Sequence, residues 1–101
     1  MPAYVIVDIE VHDPLAYEEY KPLAYATVVQ YGGRYVARGG AAEQLEGRRV
    51  PHRVVILEFP NAEQARAWWN APEYAEAKAL RQRIATTEML LVDGLAVPLA
   101  R

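Results

Sequence analysis

The 101-residue chain is 52% hydrophobic and 24% charged, with a net charge of -2, which describes one small globular domain over residues 1–101 and excludes a disordered or fibrous chain. It contains no cysteine, so disulfides, thiolate nucleophiles and cysteine-ligated metals are excluded. The acidic balance offers no general attraction to nucleic-acid phosphates, and no apolar run approaches the roughly 18 residues of a membrane span.

Met1-Pro2-Ala3-Tyr4 carries neither a basic patch nor an apolar signal core, so a cytoplasmic location is expected. Tyr4 to Val11 is β-branched and bounded by His12-Asp13-Pro14, which predicts a first strand. Asp13 suits an N-cap, with Pro14 at the first position of a helix running toward Gly32-Gly33. Pro22 falls inside that helix and either kinks it or divides it after Tyr20. Gly33 to Arg38 reads as a second strand, Gly39 to Pro51 as a loop or wide hairpin, and His52 to Phe59 as a third strand. Asn61 with Gln64 three residues on is a capping box. It opens a helix that Asn70-Ala71-Pro72 interrupts and Glu73 to Ile84 resumes, before a last strand from Thr86 to Val92.

The order is βαββαβ, a ferredoxin-like α+β fold with a four-stranded antiparallel sheet and helices on one face. Strands one and three should lie in the middle, read here as parallel neighbours. Alternation places Val5, Val7, Ile9 and Val11 under the helices, with Tyr4, Ile6, Asp8 and Glu10 on the open face. In strand three Val55, Leu57 and Phe59 face the helices, and Val54, Ile56 and Glu58 face away. Val36 and Arg38 share one face of strand two, so Asp8, Arg38 and Glu58 are expected to converge on the open face. An uncovered apolar sheet of this size calls for a partner, and a homodimer through that face is the expectation.

Several motifs then point the same way. Gly32-Gly33-Arg34-Tyr35, Arg38-Gly39-Gly40, Leu45-Glu46-Gly47, Val54-Val55-Ile56-Leu57-Glu58-Phe59-Pro60, Ala67-Trp68-Trp69 with Pro72-Glu73-Tyr74, and Arg81 occur in order from about Tyr4 to Gly94. Together they resemble the family named domain of unknown function 1330. The resemblance implies a dimeric α+β barrel, in which two ferredoxin-like sheets pack through their open faces. It also implies kinship with the antibiotic-biosynthesis monooxygenase and muconolactone isomerase types, and it assigns no reaction. Trp69 stands where the family often has tyrosine, so a hydroxyl role at that position does not carry over.

The candidate catalytic residues are Arg38, Glu58, Asp8 and His52. Arg38 would hold an anionic or carbonyl-bearing ligand through its planar fork, and Asp8 or Glu58 would act as a base with a pKa raised by desolvation. The competing reading of the trio is an ion-pair network that ties a dimer together. His52 is a candidate proton carrier. With strands one and three parallel, His12 and His52 fall at opposite edges, so no shared metal is expected. Tyr20, Trp68 and Tyr74 are candidate ligand-binding residues, against the reading that such rings fill the space between helix and sheet. Gly39-Gly40 is either a backbone anion nest or a turn.

No Walker or dinucleotide fingerprint occurs, and no cofactor is expected. RNA-recognition motifs share the βαββαβ order, but Arg53 to Phe59 lacks the glycine and alternating aromatics that stack on bases. Two classes remain. One is a cofactor-free enzyme acting on a small carbonyl-bearing or aromatic molecule in a cleft between sheet and helices. The other is a small-molecule-binding or stress-associated homodimer without chemistry.

Overall fold

The β-branched run at the N-terminus forms strand β1, Ala3–Val11, in the computed structural model, which describes residues 1–95. Asp13 caps helix α1, Pro14–Gln30, its carboxylate accepting the Ala16 N–H at 3.2 Å, with Pro14 supplying a preset φ in the first turn. Pro22 does not divide α1, which runs unbroken for 17 residues. Its ring removes one helical donor, so the carbonyl four residues earlier, at Glu18, is left without one.

Strand β2, Arg34–Arg38, leads through an irregular segment to β3, Arg53–Phe59. Asn61 then caps α2, Ala62–Trp69, by accepting the Gln64 N–H at 2.8 Å. Pro72 opens α3, Pro72–Ile84, so the interruption at Asn70-Ala71 makes two helices. Strand β4, Ala85–Asp93, follows at once.

The sheet order is β2-β3-β1-β4, with antiparallel pairing throughout. This corrects the expectation that β1 and β3 run parallel. The α1 crossover makes β1 and β2 parallel, and β3 inserts between them antiparallel to both. Ile9 therefore pairs with Arg53, and His12 and His52 lie toward the same end of the sheet. Among the described residues, no group of three or more His, Cys, Asp or Glu is placed to hold a metal.

The alternation read from β1 and β3 holds. Val5, Val7, Ile9, Val55, Leu57 and Phe59 are buried against the helices, which contribute Tyr17, Tyr20, Ala24, Val28, Ala65, Trp68, Tyr74 and Ala77 to the same core. Burying each of the larger side chains contributes about 1.5–3 kcal/mol. Gly33 lets the chain pass between α1 and β3: a Cβ there would sit 2.7 Å from Phe59 Cε1 and 2.9 Å from Val28 Cγ1.

Strand β2 breaks the pattern. Tyr35 pairs with Leu57, but Ala37 pairs with Ile56, so Val36 is an extra residue without a partner. Such a bulge reverses the facing of everything beyond it. Arg38 pairs with the helix-facing Val55, whereas Arg34 stands opposite Glu58 on the open face. The expected convergence of Arg38 with Asp8 and Glu58 is thereby overturned.

Candidate functional site

Past the bulge, Arg38 lies between the sheet and α1. Its guanidinium carbon sits 4.4 Å from the Tyr35 ring centre and 5.5 Å from that of Tyr25, within cation–π reach of both. Arg53, which shares the helix-facing side with Val55, donates from Nε to the Tyr17 hydroxyl at 3.0 Å. Gly39 makes room for it, because its φ is +74° and a Cβ there would collide with the Arg53 guanidinium. The Gly39 N–H donates to the Val54 carbonyl at 2.8 Å. That N–H is spent on the sheet, which favours the turn reading of Gly39-Gly40 over an anion nest.

Tyr17, Tyr35, Arg38 and Arg53 bound a cleft that also takes in Tyr20 and Lys21 from α1, Trp68 from α2, and Arg81 from α3. Among the described residues its polar lining consists of Lys21, Arg38, Arg53 and Arg81 with the phenols Tyr17, Tyr20 and Tyr35, with no carboxylate and no histidine. The enclosed space is about 30 Å³, enough for about one or two waters. A larger ligand needs lining side chains to move, and Arg38 is the exposed one among them. Lys21 sits beside Pro22 and pairs with Glu18 at 2.9 Å on the solvent side of α1.

Burial pushes the Tyr35 hydroxyl up to about 12, with Arg38 partly offsetting the rise. The Tyr20 hydroxyl is also pushed up, by burial first and then by the Tyr74 hydroxyl 2.8 Å away. Both phenols are therefore proton-bearing donors at neutral pH.

Of the expected ligand-binding residues, Tyr20 and Trp68 line this cleft. Tyr74 lies behind it, fully buried, stacked on Trp68 with ring centres 4.4 Å apart. Trp68 is 2% exposed and its indole N–H donates to Thr27 Oγ1 at 3.1 Å, so its polar end is satisfied within the core.

The remaining expected catalytic residues occupy the opposite face of the sheet, each with partners in the same chain. Glu58 accepts from Arg34 Nε at 2.6 Å and from the Tyr4 hydroxyl at 3.1 Å. Asp8 accepts from Arg49 Nη2 and from the His52 backbone N–H, both at 2.9 Å. Burial works against the Asp8 charge, but the His52 N–H and Arg49 outweigh it and hold the carboxyl below its usual range. A carboxylate held that low is a poor base at neutral pH, contrary to the raised pKa expected for this position. The His52 ring stands between Asp8 and Glu10, 3.8 and 4.0 Å away, on the same open-face rim.

Arg53 and Arg81 join the site although neither was singled out from the sequence as a site residue. Arg53 has the parity of Val55, Leu57 and Phe59. Arg81 follows Tyr74 and Ala77 at the helical spacing of the buried α3 positions. A cation in the apolar phase of an element was the signal in both cases.

Residues 2–95 match the family described as domain of unknown function (DUF1330), so the chain belongs to that family. Its fold is similar to that of a Rhodopseudomonas palustris protein of unknown function, RPA0582, at a TM-score of 0.76 and 20% identity, covering 95% of this chain and 84% of that one. SnoaB, a cofactor-independent oxygenase from Streptomyces nogalater, is similar at a TM-score of 0.65 and 14% identity, with 97% of each chain covered. A conserved Bacteroides thetaiotaomicron protein of unknown function, described as a possible oxidoreductase, gives a TM-score of 0.61 at 16% identity, covering 92% of this chain and 97% of that one. None of the curated proteins matches the chain.

Proposed function

We propose that this DUF1330 member is a cofactor-free enzyme that takes a small aromatic or carbonyl-bearing molecule into the cleft between α1 and the sheet and activates it as its anion. One observation carries the reading: the described residues line the cleft with four cations and three phenols, without a carboxylate or histidine to accept a proton. Such a lining favours negative charge on the ligand. It has no residue suited to act as a general base, so the substrate has to supply the acidity. A phenol or an enolisable carbonyl does so. Its O–H or C–H bond breaks, the proton passes to solvent water, and the resulting oxyanion is held against Arg38 or Arg53 while a tyrosine hydroxyl donates to it.

The similarity of fold to a cofactor-independent oxygenase supports chemistry of this kind. The active unit in this reading is a homodimer closed through the open sheet face, where Ile6, Leu90 and Val92 are 37%, 57% and 41% exposed and no helix of the described residues covers them.

The ionisation is directly visible with 4-nitrophenol, whose anion is yellow. At a pH below the probe's own ionisation, adding protein should raise the nitrophenolate absorbance, and Arg38→Met should reduce that rise about tenfold, the loss of one charge-assisted contact. Unchanged absorbance at saturating protein, or tighter binding of the neutral form, would contradict the proposal.

A further inference from the structure

Among the described residues, the buried side-chain nitrogens and oxygens without a hydrogen-bond partner are Arg81 Nε, Arg81 Nη2 and Thr87 Oγ1. Both residues line a second cleft, of about 390 Å³, between α3 and β4. Gln82 adds a side-chain amide, while Trp69 and Met89 supply apolar wall. Thr87 reaches this side because it pairs with the helix-facing Ile9.

Arg81 is the more demanding group. It is 2% exposed, and no carboxylate of the described residues lies within ion-pair distance of it. Burial opposes its charge, and the Tyr74 and Tyr20 hydroxyls beside it more than offset that, so it stays ionised. Phenols satisfy donors without neutralising a charge. A buried guanidinium with unused donors is costly unless something brings an anion to it.

We propose that the cleft between α3 and β4 is a second ligand site, which takes a small organic carboxylate with a flat apolar body. These three atoms are closed off from solvent in the free protein, so the site forms as the side chains over them move aside; the carboxylate then accepts from Arg81 Nε and Nη2 in the bidentate manner suited to a guanidinium edge, and Thr87 Oγ1 donates to one of its oxygens. The apolar body lies along Trp69 and Met89. The cleft volume falls within the usual range for small-molecule sites, roughly 300–1,000 Å³. This proposal does not depend on the activity assigned to the cleft under α1, with which it shares only the Arg81 guanidinium and Met89 among the groups it uses.

Benzoate and its neutral counterpart benzamide are suitable probes, followed by side-chain NMR of the Thr87 and Met89 methyls, the Trp69 indole N–H and the Arg81 Nε–H. Benzoate should shift these signals saturably and benzamide should not. Thr87→Val, which keeps the shape, should weaken benzoate about fivefold to tenfold, the loss of one hydrogen bond to a charged group. Arg81→Lys keeps a charge without the fork and should weaken it by more than tenfold. Arg38→Met should leave benzoate affinity at this site unchanged while reducing the nitrophenolate response about tenfold, which separates the two sites. Equal binding of benzamide, wild-type benzoate affinity in Thr87→Val, or shifts confined to Tyr35 and Arg38 would each overturn the proposal. Because Thr87→Val leaves the guanidinium in place, it decides the matter even if Arg81→Lys fails to fold.

Discussion

The two faces of the sheet treat their charges in opposite ways. On the open face each buried or half-buried carboxylate has an arginine from the same chain, Arg34 on Glu58 and Arg49 on Asp8. On the helix face Arg38, Arg53 and Arg81 surround a cleft that no carboxylate of the described residues lines. Charges that are answered within the chain hold structure together, whereas a set of like charges left facing one another needs something from outside. The difference turns on Val36, since the bulge there delivers Arg38 to the unanswered set.

The sharpest way to break this contrast is to substitute residues on opposite faces of β3. Phe59 is 1% exposed on the helix face, so Phe59→Ala should lower the unfolding free energy by about 3–5 kcal/mol in urea denaturation. If the loss is under about 1 kcal/mol, the facing of β3 is wrong. Ile56→Asp should leave the fold intact but weaken self-association by more than about tenfold, because it desolvates a charge at the centre of the proposed dimer contact. Light scattering at micromolar concentration reads this directly, and a variant that stays dimeric would remove the open face from the interface.

Acid tests the answered charges more gently. Asp8 is depressed in the folded chain, so its stabilising contribution is present above the ordinary carboxylate value of about 4 and is lost as pH falls through the lower folded value. The His52 backbone amide, which donates to Asp8, should therefore change its chemical shift below pH about 4, and Asp8→Asn should abolish that transition. A transition centred above the ordinary value would mean that burial dominates at Asp8. The smallest effect is expected at Glu58→Gln, where the Arg34 partner is 72% exposed. Its cost should be about 0–1 kcal/mol, against the large loss at Phe59 next door.

Much of the fold was legible because it rests on local rules. The caps at Asp13 and Asn61, the break before Pro72, and the alternation of β1 and β3 all follow from residue types at fixed spacing. The bulge was not legible, since nothing in Arg34-Tyr35-Val36-Ala37-Arg38 marks an extra residue and the slip appears only when β2 is laid against β3. The site suffered accordingly: one residue of slip separated Arg38 from Asp8 and Glu58. Reading β1 and β3 as parallel was a topological error, and correcting it brought His12 and His52 toward the same end of the sheet. Arg81 was hidden for another reason. An arginine in a helix is usually solvated, and only its phase with Tyr74 and Ala77 marks it as buried.

The central claim is that the helix face of the sheet, not the open face, receives the ligand. Mapping backbone and side-chain NMR shifts during titration of the protein with 4-nitrophenol tests it most directly. The account predicts saturable shifts at Tyr17, Tyr35, Arg38 and Arg53, with Ile6, Asp8 and Glu58 unmoved. Shifts centred on Asp8 and Glu58, with Arg38 and Arg53 silent, would contradict it.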